Sequence, residues 1–349
     1  MQNAIETRAL RKVYAAPRNK WRKRGAARPG DAARMPTGDV IALDALDLDV
    51  REGELFGMIG PNGAGKTTTI SILCTLLKPT AGSASVAGHD VARDPAAVRA
   101  SIGLVFQEIT LDDYLTGAEN LRFHAVLYGY PAGQVRERAA PLLDMVGLSD
   151  RADQQVRFYS GGMKRRLEIA RGLLHSPRVL FLDEPTIGLD PQTRSHIWEY
   201  VDTLRQREST TMFLTTHYMD EAERCDRIAI IDQGKIVAID TPDALKDSIG
   251  ADTVTIATHD DAAARDQIAR GLGIEGDVTD EGLRLKVPDG EAFVPKIFEH
   301  VTVGVRNVAV HRPSLDDVFM EYTGRAIRDA ESGHMDQFKM NPMVRGWRK

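Results

Sequence analysis

The stretch "ELFGMIGPNGAGKTTTISILCTLL", Glu54 to Leu77, decides the fold. An apolar run of strand length passes into a loop carrying three glycines, Gly60, Gly63 and Gly65, and then into a segment with helical spacing of apolar residues. The loop matches G-x-x-x-x-G-K-[ST] and sits where that pattern works, between a buried strand and a helix. Gly60, Pro61, Asn62, Gly63, Ala64 and Gly65 would turn backbone N–H groups onto phosphate oxygens, and the helix N-terminus adds roughly half a positive charge. Lys66 would reach the β- and γ-phosphates, Thr67 would hold Mg²⁺, and Thr68 completes the nucleotide-binding set. A nucleoside triphosphate site is the expectation.

Downstream, "RVLFLDEPT" is a solidly apolar strand ending in adjacent carboxylates, Asp183 and Glu184. A buried strand tolerates such charge at its tip, where a cation or water can meet it. Asp183 is read as part of the Mg²⁺ shell and Glu184 as the group that polarises an attacking water. A second glycine-led helix, "YSGGMKRRLEIA", offers Ser160 as cap, the free N–H groups of Gly161 and Gly162, and a helix dipole behind them. One phosphate loop already covers one face of a triphosphate. A second such loop is useful only from the opposite side, and a second chain, related by a two-fold axis, can supply it.

Strands and helices alternate on both sides of these motifs, which predicts an α/β domain with a parallel sheet over residues 1–240. Residues 108–158 carry helical spacing without strand pattern and are read as an inserted helical subdomain; "YMDEAERC" is read as a helix. Residues 241–325 follow a βαββαβ-like order, a small α+β domain whose last helix is capped by Ser314, and 326–349 form a loose tail. Residues 15–38 interrupt a hairpin with seven lysines or arginines and three prolines around Trp21. This insert is either a solvated loop or a contact for anionic lipid headgroups.

Composition narrows the class. A chain of 349 residues with 42% hydrophobic and 27% charged residues has ample core, and a net charge of −5 gives no general reason to expect nucleic acid. Cys74 and Cys225 lie far apart in apolar contexts and read as reduced core residues. No apolar run approaches the roughly 20 residues that span a bilayer. The chain is therefore expected on the cytoplasmic face of a membrane only if a partner holds it there.

The set "GPNGAGKT", Gln107, "YSGGMKRR", "LFLDEP", "GLD" and "TTH" resembles, in order and spacing, the ABC-type ATPases, over about Ile5 to Arg325. The resemblance implies a P-loop NTPase fold and hydrolysis of ATP with Mg²⁺ in a dimer, homo- or heteromeric. It implies that Gln107 touches Mg²⁺ or the lytic water, that His217 contacts the γ-phosphate, and that Asp190 crosses the dimer interface. Tyr14 falls where an aromatic stacks on adenine, although the basic insert follows it directly. Met163 replaces the glutamine common in that signature. "LDDYLTGAENLRFHAVLYG" and "PSLDDVFMEYTG" resemble the daunorubicin-resistance type, whose ABC-2 membrane subunits are separate multi-span polypeptides. The implied function is to power export, drug export included. Two rivals are a non-transport ABC-type ATPase acting on ribosome or nucleic acid, and a GTPase or small-molecule kinase. The first lacks a second motif set or long coiled coil here. The second lacks an Asn-Lys-x-Asp guanine reader and leaves "YSGGM" unexplained.

Overall fold

Two compact units make up the computed structural model, the first ending at Ile239 and the second starting at Asp240; it describes residues 3–15, 39–207 and 210–324. The insert from residue 16 to 38 and the tail from 325 onward lie outside the described residues.

In the first unit, β1 (Asn3–Tyr14) and β2 (Val40–Arg51) pair antiparallel, and the alternating burial of β2 follows its alternating sequence. β3 (Leu55–Ile59) is buried at every residue and leads through the glycine loop to α1 (Lys66–Leu73). β4 (Ala81–Val86) and β5 (His89–Asp90) complete an antiparallel sheet of order β2-β1-β4-β5. A short helix α2 (Pro95–Ser101), beyond the elements expected from the sequence, precedes β6 (Ile102–Val105). Its first residue is proline, which suits the start of a helix because the missing N–H would be unpaired there.

The inserted region holds α3 (Gly117–Leu127), α4 (Ala132–Met145) and two single 3-10 turns. α3 begins with a reciprocal cap in which Thr116 and Glu119 each satisfy the other's backbone N–H. The alternation then resumes with α5 (Gly161–Leu173), β7 (Val179–Asp183), α6 (Pro191–Arg207), β8 (Thr211–Thr216), α7 (Met219–Ala222), β9 (Arg227–Asp232) and β10 (Lys235–Asp240). These strands join β3 and β6 in a sheet of order β10-β9-β3-β8-β7-β6, in which β9, β3, β8, β7 and β6 run parallel. β3, β7 and β8 are fully buried, as central strands covered on both faces must be. The carboxyl ends of these strands form one rim, where open α/β sheets bind ligands.

The second unit contains α8 (Pro242–Ser248), β11 (Asp252–Thr258), α9 (Asp261–Leu272), β12 (Gly276–Thr279), β13 (Gly282–Val287), α10 (Gly290–His300), β14 (Val305–His311) and α11 (Leu315–Thr323). Its sheet, of order β12-β13-β11-β14, is antiparallel throughout, the ferredoxin-like arrangement of the βαββαβ order. Val254, Ile256, Leu283 and Leu285 from the strands pack with Ile268, Phe293 and Ile297 from the helices in a core of its own.

Candidate functional site

The glycine loop folds as a cradle because its last residue, Gly65, takes φ +119, a backbone setting that side-chained residues rarely adopt. Gly65 stands at the N-cap of α1, so the helix begins where the loop closes. Lys66 is 4% exposed, and its ammonium donates to the carbonyls of Gly60 at 2.6 Å and Pro61 at 3.3 Å. It also lies 3.2 Å from Glu184 Oε1. The loop, Ala42 of β2, Gln107 and Glu184 bound a cavity of about 130 Å³.

Asp183 ends β7 and is buried; its Oδ1 accepts a 2.5 Å hydrogen bond from the Thr215 hydroxyl. Burial pushes its carboxyl above the ordinary range, against hydrogen bonds from Thr215 and Thr67 that pull it down. Glu184 follows with φ +47, a left-handed setting that costs a non-glycine residue of order 1 kcal/mol or more. Its N–H donates to the Thr215 carbonyl at 3.1 Å and lies 3.2 Å from the Thr215 hydroxyl. One threonine on the neighbouring strand thus fixes both carboxylate-bearing residues.

Burial alone would raise the Glu184 pKa, but His217 and the positive charge of Lys66 outweigh it and hold the carboxyl below its usual value. His217 Nδ1 stands 3.3 Å from Glu184 Oε2, and neither atom makes an aligned hydrogen bond. The His217 ring leans on Tyr218, centroids 4.1 Å apart. Tyr14 ends β1, is 43% exposed, and pairs with Val40, near Ala42 at the cavity; Lys12 Nζ is 5.3 Å from its ring centre.

Other expected residues stand elsewhere. Ser160 caps α5, accepting from the Met163 N–H at 3.2 Å, and neither Ser160, Gly161, Gly162 nor Met163 lines the cavity. Asp190 caps α6, accepting from the Thr193 N–H at 3.0 Å and hydroxyl at 2.7 Å; these bonds, the hydroxyl's first, hold its carboxyl below the usual range. One chain therefore gathers the phosphate loop, Gln107, Asp183, Glu184 and His217, and leaves the second glycine-led helix start off that cavity.

Several supporting residues were not read from the sequence. Arg165, Glu168 and Arg171 form a buried triad on α5 at i,i+3 spacing, with Arg165–Glu168 at 3.1 Å and Arg171–Glu168 at 3.4 Å. Arg165 donates to the carbonyls of Phe106 and, at 2.8 Å, Gln107, while Glu168 accepts from the Thr110 N–H at 2.7 Å. The spacing was visible, but charges on a helix usually mark a solvated face, so their burial was not. Cys74 and Cys225 are free and buried, as expected.

A phosphate loop at the carboxyl rim of a parallel sheet, facing paired carboxylates, defines a P-loop nucleoside triphosphatase. Residues 43–187 match the ABC transporter family, and residues 241–323 match the C-terminal domain of ATP-binding proteins of the DrrA1-3 type. The chain is 41% identical over 321 residues to the daunorubicin resistance ATP-binding protein DrrA2 of Streptomyces coeruleorubidus, covering 88% of this chain and 98% of that one. It is 38% identical to the linearmycin resistance ATP-binding protein LnrL of Bacillus subtilis (84% and 96% covered) and 41% identical to the Nod factor export ATP-binding protein I of Burkholderia orbicola (84% and 95%). A solved dimeric ATP-binding cassette, in a post-hydrolysis state bound to ADP and Pi, superposes with a TM-score of 0.57 at 26% identity, covering 68% of this chain and 98% of that one. The chain belongs to the ATP-binding subunits of ABC transporters.

Proposed function

We propose that this chain hydrolyses ATP as the cytoplasmic-face subunit of an exporter whose membrane-spanning part is a separate, multi-span ABC-2-type polypeptide. The observation that carries the reading is the Lys66–Glu184–His217 constellation at the phosphate loop. Lys66, the residue suited to hold β- and γ-phosphates, neutralises Glu184 in the free chain. A triphosphate competes for that ammonium, and as Lys66 turns to it Glu184 Oε1 is released to accept a proton from water. Burial opposes ionisation of Glu184, and His217, which does not leave with Lys66, still favours the charged acceptor form. His217, beside Oε2, is assigned to donate to the γ-phosphate.

The Thr67 hydroxyl and the Asp183 carboxylate fit Mg²⁺: they are hard oxygen donors, and no group of three or more His, Cys, Asp or Glu among the described residues builds an all-protein cage. Gln107, at the cavity wall, is the further oxygen donor. When bound, the ion neutralises charge on the phosphate oxygens. Tyr14 is assigned to the adenine ring, and the loop from Gly60 through Thr68 to the phosphates.

The exposed N-terminus of α5 is assigned to the triphosphate of a second chain, either another copy or a paralogue. Ser160 Oγ already engages the Met163 N–H, so the N–H groups of Gly161 and Gly162 are the ones left to bind phosphate. Asp190 is assigned to the same interface. No described helix is long and apolar enough to cross a membrane. Exposed Phe106 and Ile109 flank Gln107, and Phe123, Val126 and Leu127 on α3 are also exposed, so this side is assigned to the membrane subunit. Relatives named for daunorubicin resistance, linearmycin resistance and Nod factor export match this chain about equally well in sequence, which leaves the choice of cargo to the other subunit. Residues 241–325 are read as a separate domain.

Glu184→Gln tests the reading. It is expected to bind ATP, to hydrolyse it about 10²–10⁴-fold more slowly, and to accumulate as an ATP-dependent dimer on size exclusion. Adding Ser160→Arg should abolish the dimer while leaving nucleotide binding intact. Wild-type turnover in Glu184→Gln, or a dimer that survives Ser160→Arg, contradicts it.

A further inference from the structure

Tied to the segments that follow Glu184 and precede His217 stands a carboxylate with no part in the chemistry above. Glu221, on α7, is 1% exposed. One oxygen accepts from the hydroxyl of Thr186, and the other from the Thr216 hydroxyl at 2.6 Å. Both threonines are as deeply buried as the carboxylate, and no cation pairs with it among the described residues. Burying a carboxylate without a counter-charge is costly. Mere filling of this space would favour an apolar side chain. What the carboxylate adds is direction: two charge-assisted O–H···O bonds, drawn from segments far apart in sequence.

Those segments are informative. Thr186 lies two residues after Glu184 in the loop that leads to Asp190, a loop tightened by Ile187 N–H to Glu184 carbonyl at 3.2 Å and Leu189 N–H to Thr186 carbonyl at 3.2 Å. Thr216 ends β8 and directly precedes His217; its hydroxyl also accepts from the Tyr218 N–H at 3.0 Å. The frame that carries Glu221 is anchored independently at the far end of the sheet, where Asp226 accepts from the Leu55 N–H at 3.0 Å and donates its own N–H to the Leu55 carbonyl at 2.9 Å.

We propose that Glu221 is a positioning residue that clasps the loop bearing Asp190 to the strand end bearing His217, so that contact of His217 with the γ-phosphate and presentation of Asp190 to the second chain occur together. This rests on the ATP-driven dimer described above. It assigns Glu221 to the coupling of hydrolysis with closure and not to nucleotide affinity, because neither threonine lines the nucleotide cavity.

The test compares full-length wild type, Glu221→Ala, Glu221→Gln and Thr186→Val by four readouts: affinity for a fluorescent ATP analogue, kcat and KM for ATP, ATP-dependent dimerisation in the Glu184→Gln background, and Tm. Glu221→Ala should keep analogue affinity within about 3-fold and lose at least about 10-fold in kcat, the scale of a lost charged hydrogen bond, together with the dimer. Glu221→Gln should recover most of the loss, since its amide accepts from one threonine hydroxyl and donates to the other. Thr186→Val, which keeps the shape and removes one bond, should shift kcat in the same direction with affinity retained. Wild-type kcat in Glu221→Ala, an affinity loss that matches its kcat loss, or a glutamine variant no better than alanine overturns the proposal. Should Glu221→Ala fail to fold, wild-type kcat and dimerisation in Thr186→Val overturn it just as well. A wild-type chain that neither hydrolyses ATP nor dimerises removes the underlying reading instead, a result visible before any variant is compared.

Discussion

Gly161 and Gly162 stand side by side and answer to different constraints. A Cβ on Gly162 would run into the Thr193 side chain of α6, whereas the nearest atom to a Cβ on Gly161 is Leu189 Cδ2 at an ordinary 3.6 Å. The sequence presented both as one phosphate-binding pair; the structure gives the second a packing duty as well. Gly162→Ala should lower stability by about 1–3 kcal/mol, the usual penalty of overpacking, measured as a drop in urea midpoint. Because the nearest atom in the clash is Thr193 Cγ2, Thr193→Ser should restore the midpoint while keeping the cap on Asp190. Gly161→Ala should leave the midpoint unchanged or raise it. At this scale the sequence singles out the candidates for chemistry, since glycine, lysine and paired carboxylates have few other reasons to sit at strand ends. It could not show Thr215 or Glu221, whose importance lies entirely in which backbone and hydroxyl groups they meet across the sheet.

Among the elements, α3 and α5 show what periodicity conveys and what it hides. Their apolar spacing announced helices, but not that α5 would bury Arg165, Glu168 and Arg171 and use them to hold the backbone around Gln107. The helix expected over "YMDEAERC" contracts to Met219–Ala222, because the chain turns there so that Cys225 can tuck beside Gly57 of β3. On α3, His124 is partly buried, and desolvation first, then the neighbouring Arg171, pushes its pKa down to about 4 from an ordinary 6.5. The unfolded chain therefore binds a proton more readily than the folded one. This contribution is complete above the ordinary value and is lost as pH falls through about 4. Urea unfolding between about pH 7 and pH 4 should show a decline in stability of which His124→Phe removes a part, at most about 3 kcal/mol and less for a ring that keeps some contact with solvent. An identical decline in both proteins would show that His124 does not titrate in this way.

For the whole molecule, the sequence conveyed order but not self-sufficiency. The order of elements after residue 240, with "DTVTIAT" read as a strand and "DDAAARDQIARGLG" as a helix, predicts a small βαββαβ-like unit. Whether that unit completes its own core is a question of packing, and here the structure is specific. Thr241 caps α8 by accepting from the Ala244 N–H at 3.1 Å, and the far end of α8 meets α11 through Ser248 and Tyr322, whose hydroxyls are 3.2 Å apart. α11 is closed at its start by the reciprocal cap of Ser314 and Asp317, and at its end by Gly324 at φ +71. The first and last helices of the unit thus contact each other, and the sheet that lies between them in the chain buries its apolar residues against α9 and α10. A segment so closed should fold without the ATPase unit, since domains of this size with a single core are stable alone. Expressed by itself, the segment from Asp240 to Gly324 should show mixed helix and strand by circular dichroism and one cooperative thermal transition, with Thr241→Ala lowering its stability by about 1 kcal/mol through loss of the first cap. A fragment lacking a cooperative transition would mean that the core around Phe293 depends on the ATPase unit for its stability.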